Sequence, residues 1–144
     1  MQQRIQHNLF VEFFGNSFSF YNLTYDFSYK IAYKHKIAMG LGGQCLPYDS
    51  DVVLGLSPQI NYIYGKKHHF ELGIGYSILW GGYDIDVLRT IPIRTGYRYQ
   101  KEKGGFLWKI AFVTLYSEDL RWFPNFNFYP WGSVAFGYSF KNKK

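Results

Sequence analysis

The segment Trp131-Gly-Ser-Val-Ala-Phe-Gly-Tyr-Ser-Phe140 sorts its side chains by parity: Val134, Phe136, Tyr138 and Phe140 on one side, Ser133, Ala135, Gly137 and Ser139 on the other. A β-strand sends successive side chains to opposite faces, so this stretch has one apolar face and one with almost no bulk. A soluble sheet rarely needs that combination. It suits the wall of a small transmembrane barrel, apolar toward lipid and small or polar toward a filled interior.

Composition bears on the same question. Aromatic residues make up 22% of the 144 residues, more than the core of a single domain spanning 1–144 requires. The fourteen tyrosines and four tryptophans have amphipathic rings suited to membrane–water interfaces. A mean hydropathy of −0.22 does not oppose this, because alternation averages hydropathy away. There is no run of about 18 apolar residues, which excludes transmembrane helices. Cys45 is the single cysteine, so no intramolecular disulfide can form, and it reads as a buried or lipid-facing thiol rather than a nucleophile. Met1-Gln-Gln-Arg-Ile-Gln6 lacks the apolar core of a secretory signal, so an exported protein of this sequence is expected to be a mature or re-engineered chain.

Period-two alternation between turn signals predicts eight strands, at about 7–14, 18–30, 35–45, 52–64, 69–80, 90–100, 106–116 and 131–140. Each reaches the roughly 9–11 residues that cross a bilayer at a tilt, or nearly so. In the second strand Tyr21, Leu23, Tyr25 and Phe27 oppose Asn22, Thr24, Asp26 and Ser28; in the fourth Leu54, Leu56, Ile60, Tyr62 and Tyr64 oppose Gly55, Ser57, Gln59 and Asn61. The fifth sets Phe70, Leu72, Ile74, Tyr76, Ile78 and Trp80 against Glu71, Gly73, Gly75 and Ser77. In the sixth Ile91, Ile93, Thr95, Tyr97 and Tyr99 oppose Arg94, Gly96, Arg98 and Gln100, and in the seventh Phe106, Trp108, Ile110 and Phe112 oppose Lys109 and Ala111. Pro58 interrupts the apolar side of the fourth strand and predicts a local bulge or a missing ladder bond.

Taken alternately, the connectors divide by charge. One set is basic: Lys30, Lys34, His35 and Lys36; Lys66, Lys67, His68 and His69; Lys101 and Lys103; Lys141, Lys143 and Lys144. The other is acidic: Asp49 and Asp51; Asp84 and Asp86; Glu118 and Asp119. The net charge of +6 is therefore concentrated at one rim, which the even strand number and short turns place in the periplasm.

The interior-facing charges are Glu12, Asp26 and Glu71 against Lys30, Arg94, Arg98 and Lys109. Their near balance predicts an ion-pair network plugging a lumen that eight strands leave just wide enough to fill; a proton or ion path is the competing reading. His68-His69-x-Glu71 puts His69 and Glu71 on one face, but flanking lysines repel cations and a wet rim is the better reading, so no metal is expected. Gly40-x-Gly42-Gly43 lacks the lysine of a phosphate loop. The lysines are split among turns, which argues against nucleic acid. A lipid-A-modifying enzyme would need a nucleophile beside a base; the His-x-Ser element of deacylase barrels is absent, and His7, His35, His68 and His69 all sit at the predicted periplasmic end. No catalytic residue and no cofactor is expected. A lipocalin-like soluble barrel would reverse the faces.

Val11-Glu-Phe-Phe-Gly-Asn16, Tyr21-Asn-Leu-Thr-Tyr25, His69-Phe-Glu-Leu-Gly-Ile-Gly75, Gly96-Tyr-Arg-Tyr-Gln100 with Gly104-Gly105, and Pro130-Trp-Gly through Gly137-Tyr-Ser-Phe140 resemble the small outer-membrane β-barrels of Bacteroidota, similar in size to OmpX-like barrels. The resemblance implies architecture more than activity. Tyr138-x-Phe140 also resembles the signal read by the barrel-assembly machinery. The expectation is an eight-stranded antiparallel up-and-down transmembrane barrel with a side-chain-filled polar interior in the bacterial outer membrane. It is expected to contact outer-membrane lipids and to be a non-enzymatic structural or accessory barrel, with a place in a larger outer-membrane complex as one form of that role, a lipid-A-modifying enzyme or narrow channel being the alternative.

Overall fold

The computed structural model describes residues 5–15, 20–48, 51–81, 87–119, 125 and 127–140. These form nine strand segments: β1 Ile5–Phe13, β2 Tyr21–Ala32, β3 His35–Tyr48, β4 Asp51–Gly65, β5 His68–Gly75, β6 Ser77–Trp80, β7 Leu88–Gln100, β8 Gly105–Tyr116 and β9 Phe128–Phe140. β5 and β6 are consecutive parts of one barrel strand, so the wall has eight strands, all antiparallel to their neighbours. β1 pairs with both β2 and β9, closing the ring. Closure removes every sheet edge, which is what hydrocarbon demands of a backbone that finds no water to bond.

The eight strands fall where the alternation predicts them, with ends moved by a few residues. The second begins at Tyr21, and positions 18 and 19 of its expected range lie outside the described residues. So do Asp49, Asp84, Asp86, Lys141, Lys143 and Lys144.

The gap between β5 and β6 falls at Tyr76, opposite Pro58. The Tyr76 N–H donates to the Pro58 carbonyl at 2.9 Å, but proline has no N–H to return the bond. Gln59 pairs with Gly75 on one side and Leu56 with Ile78 on the other, so the register does not slip across the gap. Of the two outcomes Pro58 predicted, the structure has the missing bond and no bulge. A register shift lies instead between Lys30 and Ala32, where β2 pairs with β3.

Alternation is cleanest in β4, where burial switches at every residue from Val52 to Tyr64. Leu23, Leu41, Leu56, Leu72, Ile93 and Ile110 are each more than 40% exposed on the outer wall. In water this band would be an aggregation surface, whereas in lipid it has no cost. The lumen is not uniformly polar, however. Phe10, Leu107 and Ala135 form one buried cluster and Ala111, Val113, Leu115 and Tyr129, with Trp131 against them, another. Inward parity admits any side chain that fills space, and β8 uses apolar ones on both sides of Lys109.

One rim carries the turns 33–34, 66–67 and 101–104, and the strand ends Phe13, Tyr48, Trp80 and Tyr116 mark the other. At the first rim Gly65 takes φ +135° and donates its N–H to the Lys34 carbonyl at 2.8 Å. A Cβ there would meet the His68 carbonyl oxygen at 2.1 Å, so this turn requires glycine.

Candidate functional site

The side chains of the lumen's ion-pair network come from β1, β2, β5, β7 and β8, and register explains how they meet. Arg94 and Arg98 point inward from β7 two positions either side of Gly96, and Gly96 pairs directly with Glu71 on β5. Without a side chain at Gly96, the Glu71 carboxylate has room between the two guanidinium groups. A Cβ on Gly96 would come within 2.3 Å of the Ile110 carbonyl oxygen. Arg98 also pairs with Lys109 on β8, a like-charge neighbour that would destabilise the ladder by itself. Glu71 relieves it, with Oε2 3.1 Å from Arg98 Nη1 and Oε1 2.7 Å from Lys109 Nζ.

Arg98 is fully buried. It donates from Nη1 to Asp26 Oδ2 at 2.8 Å, from Nη2 to Asp26 Oδ1 at 3.1 Å and from Nε to Gln100 Oε1 at 2.7 Å. Gln100 donates to Asn8 Oδ1 at 2.8 Å, Asn8 donates in turn to Asp26 Oδ1, and Ser139 donates to Asn8 Oδ1 at 2.6 Å. The ring Arg98–Gln100–Asn8–Asp26 is thus closed on itself. Arg94 forms a second bidentate pair with Glu12. Three carboxylates, Glu12, Asp26 and Glu71, face three cations, Arg94, Arg98 and Lys109, so this core is electrically neutral. Lys109 Nζ also lies 4.6 Å from the centroid of the Phe10 ring. Buried charges persist where they are paired and hydrogen-bonded in this way.

Lys30 does not join them. It sits at the rim with a partly exposed side chain and pairs with Glu102 at 3.3 Å. The inward lysine of that seam is Lys36, a residue that its place beside a basic turn groups with the rim. It is buried, with Nζ 3.4 Å from His69 Nε2. His69 is buried too, correcting its reading as part of a wet rim, and its Nδ1 lies 3.3 Å from the Arg98 carbonyl oxygen. The signal for Lys36 was its shared parity with Ala38, Gly40 and Gly42, and for Asn8 its shared parity with Glu12. Among the described residues no three His, Cys, Asp or Glu side chains gather as a metal site. Cys45 is exposed on the outer wall. Tyr138 and Phe140 are exposed at the end of β9, their ring centroids 5.2 Å apart, next to the seam where β9 meets β1.

A closed wall of eight antiparallel strands, apolar outside and cross-braced by charge inside, defines the small outer-membrane β-barrel fold. Its solved relatives in shape are distant in sequence. The chain is similar to the N-terminal β-barrel domain of Pseudomonas aeruginosa OprF, with a TM-score of 0.59 at 14% identity over 96% of this chain and 98% of that one. It is also similar to Ail, the attachment invasion locus protein of Yersinia pestis, with a TM-score of 0.52 at 8% identity over 95% and 97% of the two chains. No family model and no curated protein matches the sequence. Such low identity with the shape kept is what a wall specified by alternation permits, because many residues satisfy each face.

Proposed function

We propose that this chain is an integral barrel of the bacterial outer membrane, of the Bacteroidota type its segments resemble, with a non-enzymatic structural or accessory role. The observation that carries the reading is the cross-braced lumen: with Arg98–Asp26 and Arg94–Glu12 occupying the interior, the outer wall is the surface left to act, packed against lipid and against a larger outer-membrane complex. The rim bearing turns 33–34, 66–67 and 101–104 faces the periplasm, since short turns lie on that side in barrels of this kind. Tyr138 and Phe140 are the residues the barrel-assembly machinery reads.

Two measurements on the purified full-length protein test this. In planar bilayers it gives no ohmic steps, and size-exclusion after mild solubilisation of native membranes gives one complex of defined stoichiometry. Stable conductance steps, lipid-A deacylation or acyl transfer followed by mass spectrometry, or elution as a lone barrel would each overturn the role. A folded, monodisperse protein in detergent-free buffer would overturn the membrane location.

A further inference from the structure

The outer wall at the short-turn rim carries a device repeated three times. His7, His35 and His68 stand near the starts of β1, β3 and β5 on the outward parity, and each engages a tyrosine hydroxyl through Nδ1: Tyr25 on β2, Tyr62 on β4 and Tyr97 on β7. In each case the tyrosine lies two residues deeper than the residue paired with the histidine, which is Phe27, Tyr64 and Tyr99 respectively. With the phenol donating to Nδ1, a neutral imidazole carries its proton on Nε2, leaving one N–H donor at the rim.

The turns beside two of these units carry lysines that rest on tyrosine rings. Lys66 donates to the Tyr33 hydroxyl and lies 4.1 Å from that ring's centroid, and Lys67 lies 5.6 Å from the centroid of Tyr99. The turns themselves are stitched together, Gly65 N–H to the Lys34 carbonyl at 2.8 Å and Gln100 N–H to the Lys67 carbonyl at 3.1 Å. Lys34, Lys66 and Lys67, all exposed, stand in these stitched turns, Lys34 and Lys67 next in sequence to His35 and His68. Glu102 is the acid of these turns, and Lys30 occupies it at 3.3 Å. Directly below the patch on the same outward face are Ile37, Phe70 and Leu72, all exposed.

We propose that Lys34, His35, Lys66, Lys67 and His68 bind the phosphate of an anionic glycerophospholipid, whose acyl chains lie along Ile37, Phe70 and Leu72. Cationic side chains supply charge, the imidazole N–H groups supply directed donors, and the tyrosines sit at headgroup depth. Continuity of the cationic patch with the apolar wall selects a lipid over a free phosphate. The proposal rests on the membrane reading above.

The test uses the full-length barrel in vesicles of phosphatidylethanolamine mixed with phosphatidylglycerol, followed by native mass spectrometry of the lipids retained on release. Phosphatidylglycerol is expected on the barrel well above its share of the vesicle. Retention should fall by roughly fivefold for each lysine removed in Lys34→Gln, Lys66→Gln and Lys67→Gln. It should hold in the paired variant Lys101→Gln with Lys103→Gln, and excess inorganic phosphate should not displace it. Equal loss in the Lys101 and Lys103 variant would reduce the patch to general rim charge, and displacement by phosphate would show a free-anion site; either overturns the proposal. Where the lysine variants fail to fold, wild type decides: flotation with the vesicles but no phosphatidylglycerol enrichment overturns the lipid site alone, and failure to float overturns the membrane reading with it.

Discussion

Arg98 is tied to Asp26 across the full width of the barrel. β7 and β2 are diametrically opposed, separated by three barrel strands in either direction around the ring. Two parallel hydrogen bonds of 2.8 and 3.1 Å span the lumen between residues 72 positions apart in the chain. The bond is a strut, and its removal is the most direct probe of whether the plug supports the wall.

Asp26→Asn should therefore lower stability by about 3–5 kcal/mol, the cost of breaking a buried pair, because Arg98 keeps a charge that its surroundings no longer balance. Lys67→Gln at the rim should cost no more than about 1 kcal/mol. Arg94→Glu should be worse than either, since it sets a third carboxylate against Glu12 and Glu71. Urea titration of vesicle-embedded protein, read by heat-modifiable gel migration, checks the order; equal midpoints for the buried and rim variants would contradict the strut.

Gly96 and Gly43 make a matched pair. A methyl at Gly96 meets the Ile110 carbonyl oxygen at 2.3 Å and Ala111 at 2.6 Å, whereas one at Gly43 meets nothing within 4 Å. Gly96→Ala should lose about 1–3 kcal/mol to overpacking, and Gly43→Ala should be neutral or gain up to about 1 kcal/mol from reduced chain entropy. The same titration decides between them.

Pro58→Val restores the N–H that the Tyr76 carbonyl lacks while keeping an apolar group on the outer wall. A gain of about 0.5–1.5 kcal/mol is expected, together with slower amide exchange at residues 75–78. Unchanged exchange there would mean that the carbonyl is bonded elsewhere.

Phe112, exposed on the outer wall at 54%, tests the docking role. Phe112→Ala should leave the barrel folded by circular dichroism and gel migration yet weaken any complex using that face. Retention of the complex after the same substitution would move the interface to another part of the wall.

The alternation of Val134, Phe136, Tyr138 and Phe140 against Ser133, Ala135, Gly137 and Ser139 was sufficient to identify a wall with one face to lipid. The same rule applied strand by strand put Glu12, Asp26, Glu71, Arg94, Arg98 and Lys109 inside. Parity is a local property, carried by each strand on its own. Which of these charges meet is not local. Asp26 finds Arg98 only because closure sets β2 opposite β7, and Glu71 reaches both arginines only because register puts Gly96 across from it. Depth along the axis is equally non-local. Lys30 and Lys36 are paired neighbours, yet Lys30 reaches out to Glu102 while Lys36 reaches in to His69, each following the partner that a different strand or turn supplies. Sequence alternation determined the faces; ring closure and register, which sum over every strand, decided the contacts.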